Sequence, residues 1–209
     1  KGGRVLHMLR KYVGDEAFFA ALKKYLHDNQ YTDVEIHDLR IAFEEVTGED
    51  LNWFFNQWFF NSGHPNIEIS YQYNDSLHEQ TVIIAQIQDL NTTPLYRLPI
   101  EIDIYENGKA TRYKVNIDSF EQSFKFKTTN KPDLVNVDAE KMLLCVKNDF
   151  KSKQEWLYQY KNTPLYLDTK EAIQELAKFT TDTTCMLAIS NGLKHPFKEI
   201  RLQSMDLIK

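Results

Sequence analysis

The spacing of apolar residues divides the chain into three zones. In residues 1–63 the apolar positions recur at the period of an amphipathic helix. In residues 66–148 they alternate with polar positions, which is the period of a strand with one buried face. The helical period returns in residues 149–209. The pattern therefore predicts an α+β protein in which helices, strands and helices follow one another along the chain.

The first zone predicts one helix from Lys1 onward and three more short helices after it. The opening residues enter the helical pattern without an N-cap, so we expect a further region upstream. Asp15 is a candidate N-cap for the second helix, Thr32 or Asp33 for the third, and Asp50 for the fourth. The faces predicted to be buried are formed by Phe18, Leu22, Tyr25 and Leu26, by Ile36, Leu39, Phe43 and Val46, and by Leu51, Phe54, Trp58 and Phe59.

The end of the first zone is exceptionally aromatic. Six of the eight residues from Trp53 to Phe60 are Trp or Phe. A unit of a few short helices could not bury all of them by itself. We therefore expect this cluster to pack on an upstream region and on the strands that follow, and we favour this over a patch for a separate partner.

The second zone predicts about seven short strands, a density typical of an antiparallel β-sandwich. Asn107-Gly108 lies between two alternating runs and predicts a tight hairpin turn. The predicted strands cover residues 67–73, 82–87, 98–105, 113–117, 123–127, 134–137 and 143–146.

The third zone predicts short helices that could begin a helical repeat array continuing past Lys209. The predicted helices are Trp156–Tyr160, Lys170–Phe179 with Asp168 or Thr169 as its cap, one that begins at Thr181 or Asp182, and Pro196–Ile208. Their predicted buried residues are Ala172, Ile173, Leu176 and Phe179, then Met186, Leu187 and Ile189, then Ile200, Leu202, Met205 and Leu207.

Composition narrows the classes of function. The formal net charge of −5 gives no basic surface of the kind that nucleic-acid-binding proteins carry. No apolar run approaches the roughly 18 residues of a membrane helix, so we predict no transmembrane segment. We expect a soluble protein, and either the cytoplasm or the cell envelope is compatible with the sequence. Cys145 and Cys185 lack Cys-x-x-Cys spacing, which favours free thiols over a disulfide or metal site.

No complete active site is apparent among the residues. The six histidines include no His-Glu-x-x-His pair, and we interpret His7 and His64 as structural. Glu44 and Glu45 are neighbours on a predicted helix and point to different faces, which favours a solvated surface. No glycine-rich phosphate loop and no Gly-x-Ser-x-Gly motif occurs. We therefore assign no catalytic or metal-binding residue and leave the substrate-binding residues unassigned.

Several short motifs with characteristic spacing occur in residues 1–73. They are Lys1-Gly2-Gly3 with Val5-Leu6-His7-Met8-Leu9, Gly14-Asp15-Glu16-Ala17-Phe18, Ala21-Leu22-Lys23-Lys24-Tyr25-Leu26, Asp38-Leu39 with Ala42-Phe43-Glu44-Glu45-Val46-Thr47-Gly48, Leu51 with Trp53-Phe54-Phe55, Gln57-Trp58-Phe59 and Gly63-His64-Pro65. Together they resemble the alanyl-aminopeptidase-type zinc metallopeptidases, the gluzincins that include aminopeptidase N and leukotriene A4 hydrolase. Beyond residue 73 only the domain order supports the resemblance.

The resemblance implies an architecture of four domains: an N-terminal β domain, a thermolysin-like catalytic domain, a small β-sandwich and a C-terminal helical domain. Residues 1–65 would be the last helices of the catalytic domain. Residues 66–148 would be the β-sandwich, and residues 149–209 would begin a HEAT-like helical array. These divisions agree with the zones defined by apolar spacing.

The resemblance also implies a zinc-dependent aminopeptidase that acts on peptides, with its catalytic groups upstream of Lys1. These groups are a His-Glu-x-x-His helix, a glutamate as the third zinc ligand, a Gly-x-Met-Glu-Asn segment and an oxyanion-stabilising tyrosine. Tyr12, Tyr25 and Tyr31 do not stand at the position of that tyrosine. We therefore expect zinc in the parent protein, no cofactor and no activity in this chain alone, and an upstream catalytic region that packs on residues 1–65.

Two other interpretations stay in view. A non-catalytic relative of the same architecture, serving as a scaffold or interaction module, would differ only upstream of Lys1. An unrelated helix-plus-sandwich binding module would hold Trp53 and Trp58 in a ligand groove. Burial of both tryptophans in a domain interface would count against that second alternative.

Overall fold

The computed structural model describes residues 1–208, and its secondary structure follows the predicted order of helices, strands and helices. The N-terminal helices are α1 (Gly2–Val13), α2 (Asp15–Asp28), α3 (Ile36–Thr47) and α4 (Asn52–Phe55), and α4 continues into a π-helical turn, Asn56–Phe60. The strands are β1 (Asn66–Asn74), β2 (Glu79–Gln86), β3 (Leu98–Glu106), β4 (Lys109–Ile117), β5 (Glu121–Lys127), β6 (Leu134–Val137) and β7 (Val146–Asp149). The C-terminal helices are α5 (Lys153–Asn162), α6 (Tyr166–Leu176), α7 (Thr183–Gly192) and α8 (Lys198–Leu207). The predicted mixed α+β class is confirmed.

Two of the predicted caps in the N-terminal helices are displaced by one residue. Gly14 is the N-cap of α2, and Asp15 uses its carboxylate to pair with Arg10 at 2.6 Å instead. Asp50 precedes the N-cap of α4, but its Oδ1 still accepts a hydrogen bond from the backbone nitrogen of Asn52 at 2.8 Å. Both carboxylates therefore lie close to a helix start without taking the N-cap position.

The prediction of Thr32 or Asp33 as the cap of α3 was wrong. Glu35 is the N-cap and forms a capping box with Asp38, whose Oδ2 accepts from the Glu35 backbone nitrogen at 2.7 Å. The Thr32 hydroxyl instead donates to the carbonyl of Asn29, in the turn that ends α2. The presence of a carboxylate three residues after Glu35 decides between the competing caps.

Most of the predicted apolar faces of the N-terminal helices are buried, with one exception. Leu26 is 66% exposed although it was predicted to be buried. At 3.6 residues per turn, Leu26 is rotated by about 80° from Phe18, so it falls beside the packed face and Ala21 takes its place. The fully buried members are Phe18, Leu39, Phe43, Leu51, Phe54 and Trp58, and the partly buried ones are Leu22, Tyr25, Ile36, Val46 and Phe59.

Seven strands form two sheets, in the orders β5-β2-β1-β7 and β4-β3-β6. The pairs β1–β2, β2–β5, β3–β4 and β3–β6 are antiparallel. The pair β1–β7 is parallel, with Asn66 opposite Val146 and Ile69 opposite Asp149. The predicted strand number is therefore correct, whereas the prediction of a wholly antiparallel arrangement was wrong.

The last strand lies three residues later than predicted. We expected residues 143–146, but β7 covers Val146–Asp149. The Asp138 carboxylate accepts hydrogen bonds from the backbone nitrogens of Met142 at 2.9 Å and Leu143 at 3.2 Å. These amides are consumed in a turn and are not free to join a ladder, so the apolar residues 142 and 143 pack in the core without forming a strand.

The predicted hairpin turn is present between β3 and β4. Asn107 and Gly108 both have positive φ, 51° and 77°, and Glu106 pairs with Lys109 across the turn. This is the backbone geometry of a type I′ turn, for which Asn-Gly is the favoured pair.

The hydrophobic core consists of one large cluster and two smaller clusters. The N-terminal helices and both sheets contribute to one hydrophobic cluster, in which the ring centroids of Trp58 and Tyr96 are 5.0 Å apart. The C-terminal helices form two smaller clusters of their own, one around Trp156 and Leu176 and one around Ile173. The N-terminal helices α1–α4 and the sheets are therefore one packed unit, and α5–α8 pack chiefly on each other.

The C-terminal helices confirm one predicted cap and contradict another. Asp182 is the N-cap of α7, and its Oδ1 accepts from the backbone nitrogens of Thr184 and Cys185. Asp168 and Thr169 are not caps, because α6 begins earlier, at Tyr166, and both lie buried within it. The helix starts two residues ahead of Asp168, so its side chain is directed into the protein and not along the helix axis.

The outer surfaces of α7 and α8 are more exposed than their apolar spacing suggested. Leu187, Leu202 and Met205 were predicted to be buried but are 59%, 49% and 51% exposed. Ile189 and Ile200 are fully buried as expected. Within residues 1–208 no element packs on the outer side of α8, so only the inner half of its apolar residues is covered.

Candidate functional site

A cleft of about 410 Å³ lies between the end of α1 and the β3–β4 ladder. Its apolar wall is formed by Pro99, Ile100, Val115 and Met142, and its rim by Arg10, Lys11, Glu101, Arg112 and Glu140. Clefts of this size with an apolar wall and a few polar groups are typical small-molecule sites. The charged side chains of the rim form ion pairs within the protein, and these pairs hold the two sides of the cleft together.

Arg112 is the centre of the charges at this cleft. Its guanidinium makes a bidentate pair with the Asp103 carboxylate, at 2.7 Å and 2.8 Å, and reaches Glu101 at 2.9 Å. It also contacts Glu140, which in turn pairs with Lys11 of α1 at 2.5 Å. Hydrogen bonds from Lys11 and Arg112 lower the pKa of Glu140 despite its partial burial. The network fixes α1 to the face of the three-stranded sheet.

Residues 138–145 form the loop that connects these contacts to the C-terminal helices. Asp138 and Lys141 have positive φ, 54° and 49°, and the Lys141 backbone nitrogen donates to the Asp138 carbonyl at 2.8 Å. The buried Asp138 carboxylate accepts two backbone N–H groups of the same loop. Burial raises the pKa of Asp138 in spite of these bonds and of the nearby lysine. The loop is therefore held in one compact conformation by its own side chain.

A buried charge cluster joins this loop to α6. The Lys141 ammonium lies 2.7 Å from Asn136 Oδ1, 3.0 Å from Asp168 Oδ1 and 3.4 Å from Glu171 Oε2. Lys141 and Asp168 are almost fully buried, with side chains 2% and 1% exposed. Lys147 pairs with the other oxygen of Glu171 at 2.8 Å. Charges of this kind are stable inside a protein only when they are paired and hydrogen-bonded.

The electrostatics of the cluster favour the ionised forms of Glu171 and Lys147. Burial alone would raise the pKa of Glu171, but Lys141 and Lys147 outweigh it and lower that pKa to about 2. Burial opposes the charge on Lys147, yet Glu171 and Asp149 hold its pKa above the ordinary value. The cluster is therefore a set of mutually dependent ions.

A second buried group lies beside this cluster on β1, β7 and α5. The Asp149 carboxylate accepts from the Tyr71 hydroxyl at 2.7 Å and contacts the Lys151 ammonium. That ammonium also lies 4.5 Å from the ring centroid of Trp156, a cation–π contact. Burial lowers the pKa of Lys151 and raises that of Tyr71. These groups extend the polar contact between sheet and helices.

The histidines considered in the sequence are scattered. His7 lies on α1, where burial and the neighbouring Arg4 and Lys11 lower its pKa. His37 stacks on Phe60 with ring centroids 5.0 Å apart, and His64 is exposed before Pro65. In the range 1–208 none of the six belongs to a group of three or more His, Cys, Asp or Glu side chains that could hold a metal ion. The carboxylates of Glu44 and Glu45 point apart, Glu44 to Arg40 and Glu45 to Lys24.

The aromatic cluster is mostly core. Trp58 is 2% exposed and packs against Tyr96, whereas Trp53 is only partly buried. The Arg97 guanidinium lies over the Trp53 ring at 4.5 Å, and Tyr12 meets its edge at 5.3 Å. Trp53 and Trp58 line one cavity, but its volume of about 10 Å³ leaves no room for a ligand, which argues against the unrelated binding module.

Neither cysteine is in a disulfide. Cys145 is half-buried, and burial raises its pKa to about 12, while Cys185 is fully buried. A thiol with so high a pKa is a poor nucleophile and a poor metal ligand at neutral pH. Across residues 1–208 no group of three or more His, Cys, Asp or Glu side chains is arranged to hold a metal ion. None of the helices in that range has the length and apolar content needed to cross a membrane.

The buried charge cluster was missed in the sequence. The sequence predicts Asp168 as a candidate helix cap and places Asn136 in a strand, and it assigns no role to Lys141. One signal was present: polar and apolar residues alternate from Asn136 to Glu140, yet β6 is buried on both faces. Polar residues in a strand buried on both faces require buried partners.

Comparison with known proteins agrees with the resemblance seen in the sequence. Residues 1–58 match the family model described as the peptidase family M1 domain. Aminopeptidase N of Lactococcus lactis subsp. lactis is 35% identical over 88 residues, which is 42% of this chain. The first 58 residues are therefore similar to the M1 peptidase domain, and the similarity to an aminopeptidase continues beyond them. Leucyl aminopeptidase of Saccharolobus solfataricus is a further similar protein, 28% identical over 115 residues, which is 54% of this chain.

The similarity in structure extends over nearly the whole chain. Aminopeptidase A of Legionella pneumophila, solved in complex with aspartic acid, superposes with a TM-score of 0.74 over 99% of this chain, at 19% identity. At that identity the likeness concerns the fold alone. This chain spans 25% of that protein, 10% of the Lactococcus protein and 14% of the Saccharolobus protein.

Proposed function

We propose that the chain is a segment of a zinc-dependent aminopeptidase that removes N-terminal residues from peptides, and that the chain alone is inactive. The observation that carries this proposal is the match of residues 1–58 to the M1 family, supported by 35% identity to an aminopeptidase N over 88 residues. Because the chain spans about a tenth of that relative, the activity would belong to the whole protein.

We assign residues 1–65 to the end of a thermolysin-like catalytic domain, 66–148 to a β-sandwich and 149–209 to the start of a HEAT-like array. The change from helix to strand at Asn66 and back to helix at Lys153 supports these divisions. The two sheets share one core, as the sheets of a sandwich do. Helices α5 to α8 contact their neighbours in chain order, as repeat helices do.

The rest of the catalytic domain would pack on the N-terminal helices. Phe19, Leu26, Ile41 and Phe60 are large apolar side chains that are 55%, 66%, 44% and 49% exposed. Apolar exposure on this scale is typical of a surface that another part of a protein covers. The proposed contribution of residues 1–65 is to brace the wall of the catalytic site, with α1 held by the contacts of Arg4 and Lys11.

Residues 1–208 do not fit a zinc ion, since no group of three or more His, Cys, Asp or Glu side chains among them could hold a metal. We therefore attribute the metal to the rest of the parent protein and no step of its chemistry to the residues described above. A zinc ion in such enzymes polarises a carbonyl and lowers the pKa of bound water.

The test compares the parent protein with the 209-residue chain. We expect the upstream reading frame to encode a His-Glu-x-x-His helix, a glutamate ligand on a following helix and a tyrosine near Lys1. The purified parent should contain zinc and hydrolyse aminoacyl anilides, and a chelator should abolish this activity. The chain alone should show neither property.

Two outcomes would change the proposal. Zinc-dependent turnover by the pure 209-residue chain would show that the assignment of the chemistry to the rest of the protein is wrong. A parent that folds but has no zinc motif and no peptidase activity would instead favour a non-catalytic scaffold or interaction module of the same architecture.

A further inference from the structure

Residues 138–145 contact both groups of helices, and we propose that they form a clasp that couples the N-terminal helices to the C-terminal helices. Glu140 and Lys141 are consecutive in the sequence, but Glu140 pairs with α1 and β4 whereas Lys141 pairs with α6. The clasp is defined as residues 138–145. Its outer arm is Glu140 and its inner arm is Lys141.

The outer arm holds α1. Glu140 pairs with Lys11 at 2.5 Å and also contacts Arg112. A second contact lies about two turns earlier on the same helix, where the Arg4 guanidinium donates two hydrogen bonds to the Leu143 carbonyl, at 3.3 Å and 3.2 Å. The clasp therefore touches α1 at two points, which fixes the direction of the helix as well as its position.

The inner arm holds α6. The Lys141 ammonium is enclosed by Asn136, Asp168 and Glu171, and Asp168 Oδ1 also accepts from Asn136 Nδ2 at 3.0 Å. These side chains come from β6 and α6, so the ammonium joins sheet and helix from inside the protein. Removal of one partner of such a buried pair is strongly destabilising, because the other charge stays buried without compensation.

The turn between the two arms is stiff. The buried Asp138 carboxylate accepts from the backbone nitrogens of Met142 and Leu143, and both of these side chains are part of the main hydrophobic cluster. Asp138 and Lys141 have left-handed backbone conformations that non-glycine residues seldom adopt, which leaves the turn few alternatives. A shift of one arm therefore displaces the other instead of being absorbed between them.

Coupling of this kind has to be reciprocal. Weakening the inner arm should loosen α1, and weakening the outer arm should loosen α6. The clasp lies wholly within this chain, so it can be tested whether or not the parent protein is a peptidase. A chain of contacts alone does not establish coupling, which requires a measured response at the far end.

The experiment is hydrogen–deuterium exchange, read by mass spectrometry, on the 209-residue chain and on the variants Glu140→Gln and Asp168→Asn. We expect Asp168→Asn to accelerate amide exchange in α1, and Glu140→Gln to accelerate it in α6, each by about fivefold or more, the lower end of ordinary coupling. Glu140→Gln alters a partly exposed side chain, so that arm of the test stays decisive if Asp168→Asn does not fold.

Two control variants separate coupling from general loosening. Asp182→Ala removes the cap of α7 and loosens the C-terminal helices without touching the clasp. Asp15→Asn removes an exposed pair with Arg10, near α1 but away from the clasp. Faster exchange at the far end supports the clasp if it occurs in the two clasp variants and not in the two controls. Changes confined to the mutated side, or equal far-end changes in the controls, would overturn it.

Discussion

The sheets contact helices at two junctions, and different kinds of interaction hold each of them. On the N-terminal side, Trp58, Phe54 and Met8 share one apolar cluster with the strands. On the C-terminal side, the contact includes the ion pair of Lys141 with Asp168, and the apolar residues of α5–α8 form separate clusters. Charged pairs contribute to the first junction at its partly exposed rim, through Lys11, Glu140 and Arg112, whereas the second junction places an ion pair in the interior.

The difference has a physical meaning. Apolar contact is non-directional and grows with the area removed from water, so it tolerates small shifts in position. A buried ion pair adds little net stability compared with apolar packing, but it is very sensitive to geometry and to the loss of one partner. Most of the strength of the N-terminal junction therefore comes from apolar area, whereas the C-terminal junction depends on the geometry of one buried ion pair.

The largest expected effect is at the apolar junction. Trp58→Ala removes a side chain that is 2% exposed and packed against Tyr96, and we expect a loss of about 4 kcal/mol in the free energy of unfolding. Urea denaturation followed by circular dichroism measures this. Trp53→Ala is the matched control and should cost clearly less, because Trp53 is only partly buried. Equal losses in the two variants would contradict the view that Trp58 is the anchor.

The next effect tests the charged junction. Lys141→Met keeps the length and apolar stem of the side chain but leaves Asp168 and Glu171 without their shared cation. We expect a loss of about 3 kcal/mol in unfolding free energy. Lys178→Met, which breaks the exposed pair with Glu175, should change it by less than about 0.5 kcal/mol. A Lys141→Met variant as stable as the unsubstituted 209-residue chain would contradict the proposed contrast between the junctions.

The smallest of the three effects is a dependence on pH. The folded pKa of Glu171, about 2, lies below its ordinary value of 4.5, so its charge stabilises the fold above pH 4.5 and this contribution is lost as pH falls through about 2. We expect Glu171→Gln to lower the free energy of unfolding by roughly 2 kcal/mol at pH 6. This loss is smaller than a fully buried charge would give, because solvent screens a side chain that keeps 29% of its surface exposed. Urea titrations at pH 6 and pH 2.5 should show this difference shrinking. A difference that stays constant over that range would contradict the ionic account.

The apolar spacing of the sequence was sufficient to predict the order of elements and the apolar junction. Period and turn chemistry are local, so the helices, the Asn107-Gly108 hairpin and six of the seven strand positions followed from short stretches. Each cap that was misplaced lay in a stretch with several competing Asp, Glu or Thr residues. In α3 the choice was made by Asp38, three residues away from the cap.

The charged junction could not be predicted in the same way. Asp168 and Lys141 are 27 positions apart. The alternation from Asn136 to Glu140 indicates that polar groups are buried near Lys141, but it does not identify Asp168 as their partner. The shift of the last strand has the same origin, because the Asp138 carboxylate captures amides that an apolar run would otherwise offer to a ladder. Pairings between distant polar groups are a property of the fold, whereas apolar spacing is a property of the segment.

The parallel pairing of β7 with β1 has a consequence for synthesis of the chain. Asn66 pairs with Val146, which lies 80 residues later in the sequence, so β1 gains β7 as its neighbour only after those residues have been synthesised. On the ribosome, β1 and β2 can pair early, and β1 then presents an unpaired edge until β7 has emerged. Closing so long a loop is slow, so the edge is exposed to other nascent chains for the time that it takes to translate the other sheet.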